Sequence, residues 1–443
     1  MSETKVNRPL KVLISAMNGI GHLNACLGIG SLLVKRGHDV YFAHYLPSKS
    51  SIEKNGIKFI SLADHQHPDY KVFNELPAAP HVFEDKIANS MKYSPLEMVS
   101  DETIARGENL GWIMLLELSK GENYSMLNII DQLKPDICLA DYLWVMPWMV
   151  KVNLPVVPVM SSSPNDLYYG PPLSSGYSMY DSPKLWDEYR TLASKGQLEF
   201  DEKRKKLFEF FKVDYVSRTF AKQLGVYIYP GPLDYHELQL VDKNWVRLDS
   251  AVRIPETSDF HVPEKIANLP GRLIYISMGT LASMVPKMLN IILEPLANIP
   301  HRFIVSKGSN GDSVNLHDNM WGDKFVDQVA ILPKVDLFIT HGGSNSLIEG
   351  LVAGKPLIVI PQFGDQHNNA QRIVDLKLGS KVNLWEFSGD KLVNQIDYVL
   401  NNEEINQNVL KVSNQLKNSD SSDKVCSLIE NLAKSQNSST SNC

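Results

Sequence analysis

Short apolar runs alternate with stretches of helical spacing along this chain. KVLISAM (11–17) is followed by the helix-like LGIGSLLVKRG (27–37), then by DVYFAHY (39–45) and KFISLA (58–63). DICLADY (136–142) and PVVPVMS (155–161) continue the series with a helix between them. Strands that alternate with helices in this way predict βαβ units and a parallel sheet. Between residues 64 and 130 the pattern loosens, and SSSPNDLYYGPPLSSGY (161–177) reads as a long loop. DEKRKKLFEFFK (201–212) reads as the solvated face of an amphipathic helix.

A second alternating series begins after RIPETSDFHVPEKI (253–266): RLIYISMG, HRFIVSK, DKFVDQVAIL, DLFITHGG and PLIVIPQ. The expectation is therefore an α/β protein of two facing domains. Their division is 1–250, 251–417, and 418–443 as a C-terminal helix with a polar, disordered tail. Ligands of such sheets bind outside the carboxyl ends of the strands.

Two strand ends carry candidate chemistry. The first is NGIGHL, where Gly19 and Gly21 flank Ile20 and His22 follows. A dinucleotide fingerprint fails here, because Asn24 stands at the third glycine position and His44 replaces the acid after the second strand. His22 is then either a packing residue or a general base aimed into the crevice, and the residues alone leave both open. The second is DLFITHGGSNSLIEG, in which a strand runs into His341-Gly342-Gly343-Ser344-Asn345-Ser346 and a helix. Free N–H groups at a helix start favour phosphate, and His341 can add a hydrogen bond. Glu349, one turn inside, can accept from a vicinal diol such as ribose. A ligand-free glycine turn is the plain alternative, which Pro361 and Asp365-Gln366 at the next strand end make less fitting.

Taken together, residues 325–370 with GIGHLN and RGHDV near the start resemble the signature of family 1 UDP-glycosyltransferases. That resemblance implies the GT-B fold, two Rossmann-like domains with the C-terminal helix crossing back to the first. It implies that Phe325 stacks on uracil, Val326 pairs with it through the backbone and Gln328 meets the ribose. Phe325 stands where the family has Trp, and Asp327 where it has Pro, so the stacking ring is smaller. By the same resemblance His341, Gly343, Ser344, Asn345 and Ser346 form the diphosphate site, and Glu349 holds ribose. Asp365 and Gln366 hold the sugar hydroxyls, and Thr280 touches the phosphates. Gln366 points to UDP-glucose, since family members with His there tend to prefer galactose. His22 matches the general base and Asp141 the carboxylate that orients it. The implied reaction is a one-step, inverting transfer without a metal ion or other cofactor, since no Asp-x-Asp motif is present.

The acceptor is expected to be a small lipophilic alcohol or phenol, of flavonoid, macrolide or xenobiotic type. Trp112, Trp144, Met146, Tyr168 and Tyr169 are candidates for its wall. Rival readings are transfer to a lipid-linked intermediate, for which no basic membrane-facing patch is visible, and a UDP-sugar sensor without turnover, against which His22 and Asp141 speak.

Composition narrows the setting. A net charge of −6 with 43% hydrophobic and 21% charged residues suits a globular protein and argues against nucleic acid as a partner. Four unpaired-looking cysteines (Cys26, Cys138, Cys426, Cys443) fit neither a disulfide scaffold nor a zinc ribbon. With a polar start, no anchor and no long apolar span, a cytoplasmic monomer is expected.

Overall fold

In the computed structural model, which describes residues 8–72, 80–252, 260–279 and 285–440, the apolar runs become strands covered on both faces. The first sheet holds β1 (Lys11–Ala16), β2 (Asp39–His44), β3 (Lys58–Ser61), β4 (Ile137–Asp141), β5 (Val156–Met160), β6 (Gly225–Ile228) and β7 (Trp245–Leu248). Its order is β3-β2-β1-β4-β5-β6-β7, and every pairing is parallel. The second sheet holds β8 (Leu273–Ser277), β9 (Arg302–Ser306), β10 (Met320–Asp323), β11 (Leu337–Thr340), β12 (Leu357–Val359) and β13 (Gly379–Lys381). Its order is β10-β9-β8-β11-β12-β13, again parallel throughout. Strands such as ICLAD, LIYIS and LFIT are buried at every position. That explains why they read as continuous apolar runs rather than alternating ones. The α/β, two-sheet GT-B architecture is thus in place.

Strand order reverses once in each sheet, between β1 and β4 and between β8 and β11. At such switch points the flanking loops part and leave a crevice. Register fixes who stands there: Ala16 pairs with Asp141, and Ser277 with Thr340.

Several elements differ from the sequence expectation. The loosened region contains a 32-residue helix, Glu102–Leu133, capped by Asp101, which accepts from the Thr103 and Ile104 N–H groups. It packs on the first sheet with Leu116, Met126 and Ile129 and on the helix Pro183–Phe211 along another flank, so no single apolar stripe marks it. DEKRKKLFEFFK is only partly solvated, since Arg204, Leu207, Phe208 and Phe211 are buried. The Arg204 guanidinium donates to Tyr215 Oη at 2.9 Å and to the Val216 carbonyl. DKFVDQVAIL is not a strand as a whole: β10 ends at Asp323 and a short helix starts at Gln328. The short strands β6, β7 and β13 extend the two sheets beyond what the sequence pattern marked, with β7 and β13 as edges.

The first sheet closes at Leu248 and the second opens at Leu273. Helix Glu403–Lys417 lies on Ser344–Val352, where Ser413 Oγ donates to the Val352 carbonyl. The chain then returns. Ser419 and Ser421 bond Asp249, and helix Ser421–Thr440 docks on the first domain through Glu430, which takes Arg36 Nε at 2.6 Å and His38 Nε2 at 3.0 Å. The expected polar tail is helical as far as Thr440. From the second domain, Arg372 reaches into the first. It donates to the carbonyls of Leu233 and Asp234, both at 2.7 Å, and lies over the Tyr235 ring. Among the described residues no helix is long and apolar enough to cross a membrane.

Candidate active site

At the end of β1 the chain turns through Gly19, whose N–H donates to the Met17 carbonyl, and enters helix Ile20–Lys35. His22 lies in the first turn of that helix, 17% exposed at its side chain. Its Nδ1 stands 3.0 Å from Asp141 Oδ1, at the end of β4, and 3.3 Å from Ser161 Oγ, just past β5. A carboxylate only accepts, so Nδ1 carries the hydrogen and Nε2 keeps its lone pair. Burial works to lower the imidazole pKa. The charge and hydrogen bond of Asp141, with a further contribution from Asp365, outweigh it and hold His22 above the ordinary histidine value. Asp141 is 1% exposed, and its Oδ2 has no hydrogen-bond partner. His44, where a dinucleotide enzyme would carry an acid, is buried and neutral, its pKa pushed down to about 4.

Across the crevice, β11 delivers His341. Desolvation lowers its pKa to about 4, against the hydrogen bond to the Ser277 backbone, so it is a neutral donor. Glycine is required on both sides of this ring. A Cβ at Gly343 would meet Nε2 at 2.5 Å, and one at Gly279, where φ is +74°, would meet it at 2.6 Å. Gly343 then starts helix Ser344–Val352 without any side-chain cap.

The side chains of that first turn are spent on protein partners. Ser344 Oγ donates to Asp365 Oδ2 at 2.9 Å, Ser346 Oγ accepts from Gln328 Nε2 at 3.1 Å, and Asn345 Nδ2 donates to the Gly21 carbonyl at 2.6 Å. The backbone N–H groups and the positive end of the helix are what it can offer an anion. Gln328 Nε2 also donates to Glu349 Oε2 at 2.7 Å, which ties two candidate ribose contacts together. Phe325, 74% exposed, presents a bare ring, with Val326 beside it half-buried. Asp365 is pushed up by burial, opposed by the Ser163 N–H, the Ser344 hydroxyl and the charge of His22. Gln366 turns back on its own loop, where Oε1 accepts from the Gln362 N–H at 2.9 Å.

The crevice thus brings together His22, Asp141, His341, Gly343, Ser344, Asn345, Asp365 and Gln366, with Gln328, Ser346 and Glu349 forming a connected group beside them. Thr280 lies outside the described residues. The acceptor wall needs correction. Tyr168 is committed to a buried network, its hydroxyl donating to Asp234 Oδ1 at 2.9 Å, and Tyr169 is 60% exposed with Arg190 against its ring. Trp144 and Met146 are buried in the core under helix Glu102–Leu133, and Trp112 is half-buried beneath Lys86. Ser161 and Ser163 were missed. Their signal was a serine run placed directly after an apolar strand. Among the described residues no three His, Cys, Asp or Glu side chains gather so as to hold a metal ion.

Residues 269–421 match the family model described as UDP-glucoronosyl and UDP-glucosyl transferase. The chain is 25% identical over 444 residues to the uncharacterized UDP-glucosyltransferase YojK of Bacillus subtilis, covering 97% of this chain and 98% of the relative. It is 28% identical to rabbit (Oryctolagus cuniculus) UDP-glucuronosyltransferase 1A4 over 272 residues, 60% of this chain and 47% of that one. It is 29% identical to UDP-glucosyltransferase YdhE of B. subtilis over 169 residues, 38% of this chain and 43% of that one. The chain therefore spans less than half the length of these last two relatives. Among solved structures, the glycotransferase of kitacinnamycin superposes with a TM-score of 0.66 at 17% identity, covering 96% of this chain and 100% of that one. The glycosyltransferase VinC in complex with DTDP gives 0.62 at 14%, covering 96% and 99%. At these identities the likeness is one of fold.

Proposed function

We propose that the chain is a UDP-glycosyltransferase that moves glucose from UDP-glucose to a hydroxyl of a small lipophilic acceptor with inversion at C1, a reading supported by the family match over residues 269–421 and the full-length likeness to YojK. The observation that carries this reading is the His22–Asp141 pair facing the uncapped start of helix Ser344–Val352. His22 Nε2 takes the acceptor proton as the acceptor oxygen attacks C1. Asp141 fixes the tautomer and stabilises the imidazolium that forms. The C1–O bond to the diphosphate breaks in the same step. The leaving charge falls where helix N–H groups and the neutral donor His341 can meet it.

Phe325 supplies the stacking face for uracil, and the Gln328–Glu349 pair supplies acceptors and donors for ribose. Asp365 and Gln366 would exchange their present bonds to Ser344, Ser163 and the Gln362 N–H for sugar hydroxyls. Among the described residues no Lys or Arg bonds this pair, which favours a neutral hexose over glucuronate. A small lipophilic acceptor, a cytoplasmic location and a monomeric state belong to the same proposal and rest on the sequence reading alone.

The test is UDP release from UDP-glucose, UDP-galactose and UDP-glucuronate against a panel of alcohols and phenols, with product masses. Turnover fastest with UDP-glucose, giving a β-glycoside, is expected. A strong preference for UDP-glucuronate, or UDP binding without turnover on any acceptor, would overturn the reading.

A further inference from the structure

Asn345 stands in the turn that the resemblance gives to the diphosphate, yet its carboxamide points away to the other domain. Nδ2 donates to the carbonyl of Gly21 at 2.6 Å, and Gly21 immediately precedes His22. On the other flank of His22, the Ser163 N–H donates at 3.0 Å to Asp365 Oδ2, the same oxygen that Ser344 Oγ reaches. Ser161 Oγ, two residues earlier, touches the His22 ring at 3.3 Å. From the second domain, Asn345 therefore holds the loop of His22 directly, and Asp365 holds the neighbouring Ser161–Ser163 segment that touches the His22 ring.

A carbonyl in the first turn of a helix can take a second donor, because a carbonyl oxygen has two lone pairs. The bond fixes the plane of the Gly21–His22 peptide and with it the direction of the His22 Cα–Cβ bond. Misplacing a general base even slightly lowers the rate, because proton transfer needs hydrogen-bond reach in the transition state. A Cβ on Gly21 would stand 3.6 Å from Asn345 Nδ2, so the close approach here is one of hydrogen bonding and not of crowding.

We infer that Asn345 is a positioning residue for the base: its carboxamide clamps the Gly21–His22 peptide when the domains are closed, so that His22 is aligned only when the donor domain is in place. The inference rests on the reading of His22 as general base. It predicts a defect confined to the proton-transfer part of the reaction. An acceptor that sheds its proton readily, such as a nitrophenol, depends little on the base, whereas an aliphatic alcohol depends on it fully.

The experiment is a double-mutant cycle of Asn345→Ala and His22→Ala. It is read as kcat on an aliphatic alcohol and on a nitrophenol, with UDP affinity measured by calorimetry. Asn345→Ala is expected to lower kcat on the alcohol by about 3- to 10-fold, the rate equivalent of one net hydrogen bond. On the nitrophenol it should cost less than about 2-fold, and its effect should vanish in the His22→Ala background. UDP affinity should hold within about 2-fold, since the backbone N–H groups remain. Equal losses on both acceptors, a loss that persists without His22, or one that appears in UDP affinity would overturn the inference. If His22→Ala itself costs the same on both acceptors, the base assignment fails first, and the two failures are told apart. Asn345→Ser, too short to reach Gly21, serves the same comparison if the alanine variant folds poorly.

Discussion

If His22 is the base, His22→Ala and His22→Asn both remove it but leave different things behind. In either variant nothing at the crevice replaces the Nε2 lone pair, so kcat on an aliphatic alcohol should fall about 10²–10⁴-fold, or about 3–5 kcal/mol of barrier. Stability should separate them. Asp141 is 1% exposed, its Oδ1 bonded to His22 and its Oδ2 unpartnered. Alanine strands this carboxylate, and removing one partner of a buried pair costs about 3–5 kcal/mol. His22 is 17% exposed, so water can reach the void, and the lower end is expected, about 3 kcal/mol. For domains of this size that is a fall in Tm of about 6–12 °C. Asparagine places an amide N–H close to where Nδ1 stood and keeps a donor for Asp141, so its Tm should stay within about 2–4 °C of the parent. The assays are initial rates of UDP release and thermal melting in one buffer at neutral pH. An asparagine variant that keeps most of the activity would refute the base role. An alanine variant that melts with the parent would refute the account of Asp141 as a carboxylate held only by this imidazole.

Three further outcomes are expected. Because His22 is held above the ordinary imidazole value, kcat/KM should rise with pH through a limb above 6.5; its contribution to stability runs the opposite way, full below the unfolded value and lost as pH rises through the folded one. A pH–rate profile with its acid limb below 6.5 would contradict the electrostatics of the pair. Glu122 is buried, bonded by Tyr142 and Tyr45, and its pKa is raised to about 7 by desolvation from 4.5. The fold therefore favours the protonated acid, a preference worth about 3 kcal/mol that is lost as pH rises from about 4.5 to 7. Glu122→Gln should flatten that slope in melts between pH 5 and 8 and be the more stable form at pH 8; an unchanged slope would sink this. EDTA should leave turnover intact, and a full loss restored by Mg²⁺ or Mn²⁺ would show that the leaving diphosphate is stabilised by an ion instead of the helix start and His341.

The turn around His341 was legible as a turn because its pattern is local. Strand, glycines, His341 and helix start lie within ten residues, and small residues beside a fully apolar strand announce a close backbone approach. The four-residue strands β6 and β7 gave too little periodicity, and helix Glu102–Leu133 hid because it is packed on more than one side. Tyr168 was misjudged for a related reason: an aromatic in a loop looks like a wall until its hydroxyl is found bonded to Asp234 inside the core. The His22–Asp141 pair was reached by resemblance, but the contacts that join the two domains beside it were out of reach of any local pattern. Asn345 and Gly21 are 324 residues apart, and Ser163 and Asp365 are 202 apart. Such pairs exist only once two separately folded sheets have met.

The return of the chain to its starting domain sets rules for recombining these proteins. Asp249, on the outgoing segment, holds Ser419 and Ser421, on the incoming one, so both crossings between the domains run side by side. A chimera that gives this second domain a new first domain cannot be made at one junction near residue 250, because Glu430 would then face a stranger where Arg36 and His38 belong. Two junctions are needed, one at 249–252 and one at 418–421, with the helix Ser421–Thr440 travelling with the first domain. A single-junction hybrid should express as a protein whose last twenty residues are open to protease, while a two-junction hybrid of the same parents keeps them protected.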